Sequence, residues 1–344
     1  MEPRSARAVL PPSTALPPSA VLPSSAALRA LREAVLAWFA DHGRELDFRL
    51  DGLRDPWGVL VSEVMAQQTQ IGRVEERWPG FMAMFPTPGV MAAARPADVI
   101  RAWRGMGYNR RALNLHRTAV AISAAGGAVP DSVRGLMALP GIGPYTARAV
   151  AAIAFGVPAG AVDVNVRRVL GRMLAADPAA IAPAALQAAA DALVDPERPG
   201  TWTHAVMDIG ATICRPARPS CGSCPAQPWC CSAREPGPAA GRRSAAGRLP
   251  AAGRLPAASR PTGREPNRSR PTLVPFEETT RWLRGRLVDR LRDAAPGEAL
   301  AMDGPLGAHS PDAVALALAG LARDGIVELD VAGRARLAGS AELA

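Results

Sequence analysis

Lysine is absent from this 344-residue chain, so all forty basic side chains are arginine. Without an ε-amine, no side chain here can form a lysine Schiff base with a substrate. Histidine is scarce. His42, His116, His204 and His309 are scattered, which argues against a metal site built on imidazoles. Aromatic residues make up only 4%. Long apolar runs are missing too: the longest charge-free stretch, residues 8–28, holds five prolines and several serines. No bilayer helix tolerates that composition, and the same prolines spoil it as a secretory signal. The expected location is therefore the reducing cytoplasm, with no membrane partner.

What is present is ample for folding. The chain is 48% hydrophobic, and its length suits about two domains. Net charge is +9, which points to a polyanionic partner, most simply nucleic acid. Exclusive use of arginine also fits coding bias, so charge by itself does not decide the partner.

Residues 1–26 are proline, alanine and serine without period and read as a disordered tail. From residue 27 the pattern is helical. Leu28, Leu31, Val35, Leu36 and Phe39 recur at helical spacing before a stop at Gly43. Further helices are predicted near 57–71, 73–85, 96–104, 109–125, 132–138, 144–155, 163–175, 183–194 and 201–213. Strand alternation is lacking, so an all-α domain is expected over 27–231. Residues 232–272 contain AAGRLPAAGRLPAA and nine arginines against two glutamates, and read as a basic flexible linker. Residues 273–344 predict a helix around Trp282–Leu291, another over Pro311–Arg323, and a hairpin of Ile326–Val331 with Arg334–Leu337. That order resembles the end of a winged-helix module, which binds DNA in many proteins; a small packing domain fits equally well.

Three motifs carry chemistry. All five cysteines fall between Cys214 and Cys231. Cys214-x6-Cys221-x2-Cys224-x5-Cys230 offers four thiolates, suited to zinc or to a [4Fe–4S] cluster; Cys231 is surplus and a possible substitute for Cys230. Leu139-Pro140-Gly141-Ile142-Gly143 stands between two predicted helices. Gly141 and Gly143 there allow backbone N–H groups to approach a phosphate, and the next helix N-terminus adds partial positive charge. This is a helix-hairpin-helix grip on a DNA backbone. Glu63 lies among Val59, Leu60, Ala66 and Gln67 at helical spacing, where lost solvation raises a carboxyl pKa and suits it to donate a proton. Asp163 opens a predicted helix and reads as an N-cap. An ionised Asp163 would also stabilise a cationic sugar, as paired carboxylates do in glycoside cleavage.

Taken together, these segments resemble MutY-type adenine DNA glycosylases of the endonuclease III superfamily. The six-two-five cysteine spacing resembles that superfamily's iron–sulfur loop. Ser62–Gln70, Gly105-Met106-Gly107-Tyr108, Asn114-Leu115-His116, Leu139–Thr146, Val162–Leu170 and Met207-Asp208-Ile209-Gly210 carry the likeness over about residues 30–231. The resemblance implies a [4Fe–4S] cluster on Cys214, Cys221, Cys224 and Cys230. It implies Glu63 as the acid that protonates adenine, Asp163 as the anion beside the oxocarbenium-like sugar, and Asn165 as its support. Tyr145 stands where lyase relatives carry lysine. Gln68 and Tyr108 match residues that wedge into the duplex, and Arg49 and Asp208 match positions lining the adenine pocket.

Departures from the family pattern are visible. Leu46-Asp47-Phe48-Arg49 replaces Leu-Pro-Trp-Arg, Asn109 replaces a second tyrosine, Ala66 replaces a leucine, and residues 273–344 show no Nudix-like pattern. The expected activity is excision of adenine opposite 8-oxoguanine or guanine in double-stranded DNA by a monomer without lyase chemistry. A thymine-mismatch or endonuclease III-like glycosylase, and a non-catalytic iron–sulfur DNA-binding regulator, are the competing expectations.

Overall fold

The computed structural model describes residues 16, 20, 22–50, 55–175, 177–234 and 274–340. They fall into two compact units, one within residues 1–237 and one within 238–344.

The first unit is helical. It runs through α1 (Ser25–His42), α2 (Asp47–Leu50), α3 (Pro56–Ala66), α4 (Ile71–Met84), α5 (Pro88–Ala93) and α6 (Pro96–Ala102). It continues with α7 (Arg110–Ala124), α8 (Val133–Met137), α9 (Pro144–Phe155), α10 (Val164–Leu174), α11 (Pro183–Leu193), α12 (Pro199–Asp208) and α13 (Cys231–Arg234). Proline opens six of these helices, α3, α5, α6, α9, α11 and α12. There its missing N–H costs nothing and its fixed φ suits the first turn. Side-chain caps sharpen several starts: Asp55 accepts from the N–H groups of Trp57 and Gly58, and Asp163 accepts from that of Val166.

Two cores form. One gathers α2 to α9, with Trp57, Leu60, Met65, Phe81, Trp103 and Leu115 buried. The other joins α1 to α10, α11 and α12, with Leu31, Val35, Leu170, Leu186 and Trp202 buried. The N-terminal helix thus returns to pack on the far part of the chain, and α1 contacts α12 directly. Residues between the two cores are placed to line a cleft.

Four expectations are corrected. The helix predicted over 57–71 ends at Ala66, because Gln68 takes a left-handed φ of 53° that no helix accommodates. The helix predicted over 201–213 starts at Pro199 and changes to a π-helical turn at Ile209–Ile213. Short α5 lacked a full period and was not anticipated. Within the expected tail, Ala20 is buried in the second core and α1 opens at Ser25; residues 1–15 lie outside the described residues. So do residues 235–272 of the expected linker.

The second unit contains α14 (Thr280–Asp293), α15 (Pro311–Arg323), β1 (Val327–Leu329) and β2 (Ala335–Leu337). The strands pair antiparallel, Val327 opposite Leu337. Leu300 adds a further bridge to Ala335 through two backbone hydrogen bonds, of 2.8 and 2.9 Å. Leu283, Leu287, Val314, Leu321 and Val327 form the unit's core. Helix α15 carries one cation, Arg323 in its last turn, and an acid, Asp312, in its first, a charge pattern poorly suited to lying against phosphates.

Candidate active site

Helix α3 is the most buried helix around the cleft: Trp57 through Ser62, Val64 and Met65 are all inside. Glu63 is its one charged residue. The Glu63 Oε2 atom is fully buried with no hydrogen-bond partner. Desolvation raises the carboxyl from 4.5 to about 7, with the Asp163 charge adding to the rise. Hydrogen bonding by the Tyr145 hydroxyl and the positive charge of Arg49 pull the other way. Burial also raises Tyr145 well above its usual range, so it stays a phenol. Its single proton has two acceptors within reach, the Glu63 carboxyl and Met207 Sδ at 3.8 Å. An ionised carboxylate is the stronger of the two.

Asp163 holds the N-cap of α10. Its Oδ1 accepts from Val166 N–H at 2.6 Å, and its Oδ2 accepts from Asn165 Nδ2 at 3.1 Å. Asn165 Oδ1 accepts in turn from Arg168. Capping thus fixes the carboxylate without preventing it from facing the cleft.

Glu63, Tyr145, Asp163, Asn165 and Arg49 line one cavity of about 220 Å³, together with Arg44, Phe48, His204 and Met207. An engineered cavity of about 150 Å³ admits benzene, so this one has room for a two-ring base. Asp208, expected in the lining, stands behind it. Its side chain is wholly buried and accepts hydrogen bonds from Arg44 and from both terminal nitrogens of Arg49. Burial alone would raise its pKa, but those bonds hold it below the usual carboxylate range. Asp208 therefore aims two guanidinium groups at the cavity wall rather than meeting a ligand itself. Arg44 and His204 escaped the sequence reading, although His204 lies four residues before Asp208 and so on the same face of α12. Burial and the Arg49 charge lower His204 to about 3, leaving a neutral ring.

Gln68 and Tyr108 occupy two exposed loops outside the cavity. Among the described residues they are the only non-glycines at positive φ, 53° and 45°, a conformation that costs energy and concentrates at working sites. Gly141 and Gly143 are exposed in the turn before α9. Gly141 has φ +77°, and a Cβ there would stand 2.7 Å from Asn114 Nδ2. Ile142 anchors the turn in the first core. His116, part of a family-like segment, ties α7 to Ala94 O at 2.9 Å and plays no part in the cavity.

Cys214, Cys221, Cys224 and Cys230 are half-buried free thiols at the far end of α10. Cys224 is raised to about 11, first by burial and then by the neighbouring thiols of Cys214, Cys230 and Cys221. Arg172 donates to Cys214 Sγ at 3.5 Å. Among the described residues no three His, Cys, Asp or Glu side chains converge tightly enough to hold one metal ion.

Residues 61–196 match the HhH-GPD superfamily of base excision DNA repair proteins. An adenine DNA glycosylase from Mycolicibacterium smegmatis is 38% identical over 312 residues, 90% of this chain and 96% of that protein. The chain belongs to the adenine DNA glycosylase family of that superfamily. The human adenine DNA glycosylase is 41% identical over 58% of this chain, which spans only 39% of that longer protein. The family's fold is shared by solved structures of a thermostable thymine-DNA glycosylase and of endonuclease III bound to DNA. Their TM-scores are 0.54 and 0.52, at 26% and 25% identity, over 60% and 62% of this glycosylase and 96% and 98% of those chains. No helix among the described residues is long and apolar enough to cross a membrane.

Proposed function

We propose that this glycosylase removes adenine paired with 8-oxoguanine or guanine in double-stranded DNA, acting as a monomer without lyase activity. The observation that carries this reading is a desolvated Glu63 carboxyl, one of its oxygens buried without a hydrogen-bond partner, in the wall of a base-sized cavity that Asp163 also lines. A base inside a duplex must first be extruded, at a cost of a few kcal/mol in lost stacking. Gln68 and Tyr108 wedge into the gap, and the turn at Gly141–Gly143 grips the backbone. Adenine leaves poorly as an anion. Glu63 protonates it at N7, so it departs neutral, while Asp163 stabilises the positive sugar and Tyr145 shields it. Water completes hydrolysis and leaves an abasic site. Arg49 holds the pocket wall, and Asp208 holds Arg49.

The four cysteines suit a [4Fe–4S] cluster. Their thiols lie near enough to act on each other's charge, and four clustered cysteines are the donor set such a cluster takes. The group would be a structural tie for the loop carrying Cys214–Cys230. The second unit is read as winged-helix-like, with α14 and α15 before the β1–β2 hairpin.

The test is single-turnover base release from duplexes carrying adenine opposite 8-oxoguanine, guanine, cytosine and thymine, alongside thymine opposite guanine. Release of adenine opposite 8-oxoguanine or guanine, with strand breaks only after hot alkali, is expected. Preferential release of thymine would overturn the substrate, and breaks without alkali would overturn the absence of lyase chemistry.

A further inference from the structure

Two left-handed non-glycine residues need something to hold them, and one side chain touches both loops. Arg111 Nη1 donates to Val64 O at 2.9 Å and Met65 O at 3.0 Å, the last turn of α3. Its Nη2 donates to Thr69 Oγ1 at 3.0 Å, just past Gln68, and to Met106 O at 2.9 Å, just before Tyr108. The guanidinium also stacks over Trp103, 5.3 Å from the ring centroid, and over Tyr108 at 5.7 Å. Planar, multidentate geometry of this kind belongs to arginine and not to lysine.

The position is costly. Arg111 lies in the first turn of α7, whose N-cap Asn109 makes no side-chain cap bond. A cation there opposes the helix dipole. Burial lowers its pKa to about 10, and its Nε is buried without a partner. A local rule broken at this expense marks a working site more often than a packing accident. Val64 adjoins Glu63, so the same guanidinium ties the proton donor's helix to both wedge loops.

We infer that Arg111 is a positioning residue that locks the Gln68 and Tyr108 loops to the C-terminal end of α3, so that duplex wedging and alignment of Glu63 occur together. The inference rests on the proposed extrusion of adenine from a duplex. Both terminal nitrogens of Arg111 are already engaged by protein acceptors, so its effect falls on the extrusion and chemical steps rather than on encounter with DNA.

The experiment compares the full-length wild-type protein with Arg111→Met and Arg111→Lys. Active-site titration gives the active fraction, single-turnover release gives the rate per active molecule, and 2-aminopurine beside the target adenine reports extrusion. Arg111→Met is expected to slow extrusion and release per active molecule by about a hundredfold, as loss of alignment does. Arg111→Lys should fall between, and duplex affinity should stay within about twofold because the guanidinium's terminal nitrogens are spent on protein acceptors. Wild-type rates per active molecule in both variants, with only a smaller active fraction, would overturn the inference and leave a purely structural arginine. Affinity falling in step with rate would overturn it in favour of a phosphate contact. If Arg111→Met does not fold, Arg111→Lys decides by the same readings. Failure of the wild type itself to release adenine would instead sink the proposed function, so the two failures are distinguishable.

Discussion

At Glu63 the burial that raises the carboxyl to about 7 sets two pH dependences. As an acid it works only when protonated, so single-turnover release should fall about tenfold per pH unit above pH 7 and level off below. Glu63→Gln should abolish release while duplex affinity, read by fluorescence anisotropy, changes little. The same shift acts on stability. Between pH 4.5 and 7 the unfolded chain has lost this proton and the folded chain keeps it, so the folded state loses up to about 3 kcal/mol as pH rises through that window. Glu63→Gln removes the loss, and its melting temperature should exceed that of the wild type at pH 8 but not at pH 4. A variant no more stable than the wild type at pH 8 would show that the carboxyl is not desolvated. The acid was legible in the sequence because a lone glutamate in an apolar helical run has few innocent explanations. Arg44, His204 and Arg111 were not, since nothing local distinguishes them from other exposed-looking polar residues.

Among the elements, two turns do work that helices cannot. Gly141 reaches φ +77° against Asn114, so Gly141→Ala should strain the turn and weaken duplex binding about tenfold. Release from duplex already bound at saturating enzyme should stay near wild type. Gly210 lies in the π turn, where an added Cβ would approach Asn165 Cβ to 2.8 Å. Gly210→Ala should push Asn165 away from Asp163 Oδ2, lowering the single-turnover rate about a hundredfold with affinity retained. Opposite results for the pair would show that the turn before α9 and the π turn have exchanged roles. Helix starts were readable because proline and capping residues act within three positions. The end of α3 at Ala66 was not, because Gln67, Gln68, Thr69 and Gln70 include no glycine or proline to mark a stop, and the left-handed φ of Gln68 shows only in the folded chain.

For the whole first unit, α10 is the element that joins chemistry to the cysteine loop. Asp163 caps its start, Arg168 bonds Asn165 and the Gly210 and Cys214 carbonyls, and Arg172 reaches Arg215 O and Pro216 O. Loss of the loop should therefore be felt as loss of fold. On the proposed cluster, wild type should purify with iron and sulfide and Cys224→Ser without them and with a lower melting temperature, checked by chemical assay and calorimetry; full iron content in that variant would remove Cys224 from the ligand set. Short-range physics made much of this molecule readable in one dimension. Helical period, proline and capping signals, cysteine spacing and an apolar setting for Glu63 each act within a few residues, and they determined an all-α first unit, a four-thiol loop and a desolvated carboxyl at Glu63. Only the folded chain decided that α1 returns to the second core, that Asp208 stands behind the wall holding two arginines, and that Arg111 bridges the loops of Gln68 and Tyr108. Those contacts join positions between about forty and more than one hundred and sixty residues apart, and at such separations the pairing is chosen by which surfaces are left to bury once the local elements have formed.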